Sequence, residues 1–180
     1  MRKITNEELG RPTPEQFAAM AKMPVAVVLD NVRSAQNVGA FFRTGDAFAV
    51  ERILLCGITA TPPLREIHKT ALGAELTVPW SHCDSTEACI DRLHAEGYRV
   101  YAVEQVEGAE MLDVFTPEEG VRYALVFGNE ADGVGQPWPV ATGRWRSGRS
   151  APSTRSTPRL RAAWCCGTCS ARAGPGGGAP

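Results

Sequence analysis

The chain has 180 residues, 43% hydrophobic and 22% charged, with a formal net charge of −1, which is enough length for one domain with a proper core. No apolar run approaches the roughly 18–20 residues that span a bilayer, and the opening MRKITNEELGRP lacks the apolar stretch of a signal peptide. A soluble cytoplasmic protein with no membrane partner is therefore expected.

Residues 1–23 are too few for a separate domain and read as a helix flanking a sheet, with Thr13 capping ahead of Pro14, Glu15 and Gln16. Residues 24–30 (PVAVVLD) are a continuous apolar, β-branched run, the pattern of a strand buried on both faces and hence of a parallel sheet. From residue 34 to 49, Val38, Phe41, Phe42 and Phe48 recur at helical spacing, with Ser34 or Asn37 able to cap the start. A strand at 52–56, a Pro-Pro turn, and a polar helix over 65–72 come next. Residues 76–79 read as a short apolar strand, and 85–96 as a helix closed by Gly97. YRVYAV (98–103) gives another strand, then comes a loop with a short turn near 111–115, and YALVF (123–127) is the last clear strand. This alternation predicts an α/β fold: an open, mostly parallel sheet with helices on both faces.

Ligands of such sheets bind outside the carboxyl ends of the strands, so the informative residues should lie just after Asp30, Val103 and Phe127. After the first strand stands DNVRSAQNVG, which has amides and an arginine where a dinucleotide fold would carry GxGxxG. Asn37 and Arg43 offer an amide and a cation at the mouth of an apolar sheet, suited to a phosphodiester and a ribose hydroxyl. Gly39 between them permits close backbone approach. Taken alone, this is also the pattern of an ordinary amphipathic helix with a cap and a solvated arginine. After the last strand stands GNEADGV, where Gly128 permits a tight turn and Asn129 and Glu130 face the strand ends. That segment alone is equally a plain loop.

The two stretches together, LDNVRSAQNVGAFFRTGDAF (29–48) and YALVFGNEADGV (123–134), resemble the first two motifs of the SPOUT superfamily in its SpoU or TrmH-like branch. The resemblance covers roughly residues 24–134, including LCGITATPP, KTALGA and YAVEQ. It implies S-adenosylmethionine-dependent methyl transfer to a ribose 2′-hydroxyl of tRNA or rRNA. By the same resemblance Arg43, Asn37 and Glu130 are the catalytic residues. The cofactor would be held by Val103, Glu104, Gly128, Asn129 and Gly133, and RNA by Arg33, Arg43 and Lys69. The family resembled is homodimeric, and its C-terminal segment passes through a loop to form a trefoil knot. A noncatalytic RNA-binding α/β module is the alternative reading.

The last part of the chain departs from that family. From Val134 onward there are seven arginines and no Asp, Glu or Lys, against 12 basic and 20 acidic residues before it, so the tail carries +7 and the rest −8. Such a tail ordinarily suggests a disordered, basic nucleic-acid-binding segment. The family's third motif, a segment resembling GTKHSLNVSVAAGIVLWE, is absent as written. Read one base out of register, however, Trp164 followed by Cys165 forces valine, and Cys165 followed by Cys166 forces leucine. Cys166 followed by Gly167 permits tryptophan. Across residues 151–169 the shifted reading allows G-T-K-H-S-L-N-T-S-V-A-G-G-V-V-L-W-D-L at every position. A frame slip between about Gly135 and Trp138 is therefore expected, leaving the knot incomplete in the written chain. The expected organisation is a flanking segment at 1–23, a truncated SpoU-type domain at 24–136, and a basic tail at 137–180, disordered or out of frame.

Six cysteines in a chain with no secretion signal do not suggest a disulfide framework. Cys56, Cys83 and Cys89 read as buried or half-buried thiols. WCCGTC (164–169) has no second ligand pair after it, so no metal is expected.

Overall fold

The structure is a computed structural model that describes residues 2, 16, 19–104, 107–111, 115–129, 133–134 and 143–146. MPVAVVLD has almost no polar surface to offer solvent, and as strand β1 (Met23–Asp30) its last six residues are buried. β1 lies between two parallel neighbours, β2 (Val50–Cys56) and β6 (Arg122–Phe127). Outside them stand β3 (Trp80–Cys83) beyond β2, and β4 (Tyr98–Val103), β7 (Gly143–Arg146) and β5 (Glu110–Met111) beyond β6. Among the described residues the sheet order is β3-β2-β1-β6-β4-β7-β5, and its strands all pair in parallel.

Because side chains alternate along a strand, the central strands feed two cores. Val25, Val27, Leu29, Leu125 and Phe127 join Val38, Phe41, Phe42 and Ile67 on one face. These last four belong to helices α1 (Ala35–Ala47) and α2 (Arg65–Ala71). Ala26, Val28, Ala124 and Val126 pack on the other face with Cys89, Ile90 and Leu93 of α3 (Thr86–Ala95). Helices thus cover both faces, as the alternating pattern requires. Among the described residues no helix is long and apolar enough to cross a membrane.

Three expectations are corrected or extended. The apolar run at 76–79 is not a strand. Ala74–Leu76 is a 3₁₀ turn, with Val78 N–H donating to the Ala74 carbonyl at 3.0 Å, while Val78 is buried and Leu76 is exposed. The strand follows directly after the expected one, at Trp80–Cys83, on the sheet's outer edge, where a largely exposed WSHC has no apolar signal to betray it. Second, Glu110–Met111 is a short strand within the stretch expected to be a loop with a turn near 111–115; residues 112–114 lie outside the described residues. Third, Gly143–Arg146 in the basic tail is also a strand. It lies between β4 and the edge strand β5, Val103 standing opposite Trp145 and Glu110 opposite it on the other side, and backbone pairing of this kind does not require an apolar sequence. In the flanking segment Gln16 and Ala19 are helical; Thr13 and the course of residues 147–180, including any knot, lie outside the described residues.

Candidate active site

The carboxyl end of β1 is fastened by polar groups. Asp30 is 3% exposed and accepts hydrogen bonds from Thr86 Oγ1 at 2.6 Å and from Asn31 Nδ2 at 2.8 Å. Asn31, at a positive φ of 54°, accepts the Ile58 N–H at 3.1 Å through its side-chain oxygen. Thr59, also buried, accepts the Val32 N–H at 3.0 Å, and its hydroxyl lies 2.7 Å from the Cys56 carbonyl and 3.0 Å from that of Leu29. These bonds set the path of the short link that carries exposed Arg33 toward α1. Sequence reasoning missed them; the one available signal was a carboxylate closing a wholly apolar strand, which demands partners when buried.

Ser34 caps α1, its Oγ accepting the Asn37 N–H at 3.2 Å, one of the two caps anticipated. Asn37 is half-buried in the first turn, and Arg43 is exposed in the third. Six residues of helix separate them by about 9 Å along the axis, so Asn37 stands at the strand-end level and Arg43 well below it. Among the described residues Arg43 makes no hydrogen bond or ion pair. Gly39 does permit a close approach, but the partner is the chain's own α2. A Cβ there would stand 2.0 Å from Thr70 Oγ1 and 2.4 Å from the Ile67 carbonyl oxygen. Lys69 is exposed on α2, on the same sheet face as Arg43's helix.

The second motif forms a pinched loop at the ends of the adjacent strands β4 and β6. Gly128 passes so near the returning chain that a Cβ would lie 2.0 Å from the Gly133 carbonyl carbon and oxygen. Asn129 and Gly133 form an antiparallel bridge, with the Gly133 N–H donating to the Asn129 carbonyl at 3.2 Å. Glu104, just beyond β4, accepts the Val134 N–H at 3.4 Å. Gly133 has a φ of +73°, and a Cβ there would meet Glu104 Oε1 at 1.9 Å. Val103, Phe127 and Val134 are buried beside this turn. The structure therefore brings together Val103, Glu104, Gly128, Asn129 and Gly133. Glu130 and Gln105 lie outside the described residues.

Besides the β1–β6 pairing of Leu29 with Phe127, a ring contact joins α1 to the second motif. Phe41, two residues before Arg43, meets Phe127, the residue before Gly128, with ring centroids 4.9 Å apart at 56°. Both rings are buried, so the helix carrying Arg43 rests on the stem of the Gly128 turn. Helical periodicity marks Phe41 as core but does not say which strand it meets.

Residues 24–140 match the SpoU rRNA Methylase family. The chain belongs to this family. Among curated SpoU-type relatives, it is 29% identical over 130 residues to the 23S rRNA (guanosine(2553)-2′-O)-methyltransferase RlmP of Bacillus subtilis, covering 68% of this chain and 51% of that one. It is 27% identical over 127 residues to the 23S rRNA (guanosine-2′-O-)-methyltransferase RlmB of Vibrio cholerae, covering 71% and 50% respectively. The chain thus spans about half the length of the curated relatives it matches. Its fold is shared with an AdoMet-bound rRNA methyltransferase from Sinorhizobium meliloti, at a TM-score of 0.72 and 23% identity, covering 83% of this chain and 56% of the other.

Proposed function

We propose that this chain carries a SpoU-type catalytic domain, within residues 24–136, that transfers a methyl group from S-adenosylmethionine to a ribose 2′-hydroxyl of tRNA or rRNA in the cytoplasm. The observation that carries the reading is the Phe41–Phe127 contact, which couples the arginine-bearing helix to the strand-end turn. Relatives named as 2′-O-methyltransferases support the reaction class.

The residues at the turn suit the cofactor in kind. Val103 and Phe127 offer an apolar floor, Glu104 a carboxylate, and Gly128 and Asn129 backbone groups at a strand end. When bound, S-adenosylmethionine supplies an electrophilic methyl on a sulfonium. A ribose hydroxyl is a poor nucleophile at neutral pH, so the protein must orient it and stabilise developing charge. Arg43 does this by gripping the adjacent phosphate, remaining charged throughout because a guanidinium does not deprotonate in proteins. Asn37 and Glu130 complete the proposed catalytic set, while Arg33 and Lys69 add phosphate contacts. A second copy of the chain is part of the reading, and Leu72 and Leu76, 67% and 78% exposed beside α2, supply apolar surface for it.

The test is transfer of radiolabelled methyl to total tRNA and rRNA by the frame-restored chain. Replacing Arg43 with Ala should cut the rate by about 10²–10³-fold, the usual loss for one charge-stabilising donor; an undiminished rate would overturn its role. The absent third motif favours a second reading for the chain as written, RNA binding without catalysis. In that case binding would weaken steeply with salt and no methyl would be transferred.

A further inference from the structure

Three cysteines from three different elements converge on the face of the sheet opposite α1. Cys56 ends β2 and Cys83 ends β3, directly opposite one another in the parallel register. Cys89 descends on them from the first part of α3. Their Sγ atoms all lie within 4.8 Å of one another. Cys56 and Cys89 are buried and Cys83 half-buried. From this geometry we propose that Cys56, Cys83 and Cys89 form a binding site for a thiophilic divalent cation, zinc, distinct from the proposed methyl-transfer site.

Four-coordinate zinc with Zn–S bonds of about 2.3 Å needs sulfurs roughly 3.8 Å apart. The observed trio, with every pair of sulfurs within 4.8 Å, exceeds that spacing by no more than about 1 Å. Each sulfur comes from a different backbone element, so the donors are already held near one point. Charge favours a divalent ion: three thiolates around it leave one negative charge, and Arg92 Nη2 already donates to Cys83 Sγ at 3.3 Å. Cys83, half-buried on the outermost strand of the sheet, is the side from which a water would complete the shell.

The position suggests what the ion does. β3 is a four-residue edge strand with three exposed residues, the kind of element a small core holds poorly. A cation would tie it to β2 and to α3, whose Thr86 fastens buried Asp30. The bland alternative is three thiols packed as small apolar side chains.

The experiment uses the full chain, reduced, with Cys165, Cys166 and Cys169 changed to Ser so that the tail contributes no thiolate. Cobalt(II) serves as the probe. One equivalent should produce a sulfur-to-cobalt charge-transfer band and the visible bands of four-coordinate cobalt, both displaced by zinc. Cys83→Ser should abolish the charge-transfer band while leaving the far-ultraviolet circular dichroism intact, and Arg92→Met should weaken binding by about 10–100-fold. In the unsubstituted chain, zinc should shield half-buried Cys83 from alkylation, read on its own peptide by mass spectrometry. That measurement decides the matter even where a variant fails to fold. No band at excess cobalt, a band undiminished by Cys83→Ser, or equal alkylation of Cys83 with and without zinc would each overturn the proposal.

Discussion

Gly128 and Gly133 are glycines for different reasons, and the difference predicts how each fails. Gly128 needs space, because its missing Cβ would lie inside the returning backbone at Gly133 and Val134. Gly133 needs conformational freedom as well, with a φ of +73° that L-residues rarely adopt. Changing Gly128 to Ala should push the two arms of the turn apart, since backbone atoms cannot give way as a flexible side chain can. The expected outcome for the frame-restored chain is a loss of S-adenosylmethionine affinity by at least about tenfold, with a stability cost of about 1–3 kcal/mol, read by calorimetric titration and thermal melting. A variant that melts lower yet binds normally would show that the pinch only supports the fold. Arg43 is the opposite case: exposed and unpaired among the described residues, it should cost activity on removal and almost no stability. Both residue types were legible in the motifs. Their physical reasons were not, because sequence reveals neither which backbone faces Gly128 nor that Gly39 serves the α1–α2 contact.

Elements were legible where burial imposed a period. β1 and β6, buried on both faces, and α1, amphipathic with a serine cap, fall within two residues of expectation. β3, β5 and β7 escaped because edge or peripheral strands are held by backbone pairing and need no apolar alternation. What locks the central strands together at their amino ends was equally hidden. Glu51 of β2 accepts hydrogen bonds from Arg122 of β6 and from the Tyr98 hydroxyl of β4, the latter at 2.7 Å, while Arg122 lies 4.0 Å over the Tyr98 ring. Partial burial opposes ionisation of Glu51, but the hydrogen bonds from Arg122 and Tyr98 outweigh it and hold the carboxyl below its ordinary value. A depressed carboxylate stabilises the fold above its unfolded pKa of about 4.3, and that contribution disappears as pH falls through the folded value. Glu51→Gln should therefore destabilise by about 1 kcal/mol near pH 7, and the gap from the parent should close in acid. Urea denaturation at pH 7 and pH 3 checks this; an equal gap at both would mean that shape rather than charge holds the network.

At the scale of the whole molecule, the family match ends at residue 140, within a few residues of where charge and composition change. The tail beyond it still adds the strand Gly143–Arg146 to the sheet, and our proposal is that a shift of one base would turn the rest of it into the family's third motif. If that shift is real, the restored segment would supply a serine and an asparagine to the site and apolar residues to the core. The written tail, rich in Gly, Pro, Ser and Arg, has few large apolar residues to offset the entropy of ordering it. Sequencing the source DNA across codons 130–170 tests the premise directly, and comparing the two proteins tests its consequence. The frame-restored chain should melt several degrees higher, dimerise in light scattering and bind S-adenosylmethionine. The chain as written should do none of these, because half of the expected pocket and the helix that covers it would be missing. Tight cofactor binding by the written chain would instead place the whole pocket upstream of residue 140 and reduce the third motif to a partner in dimerisation.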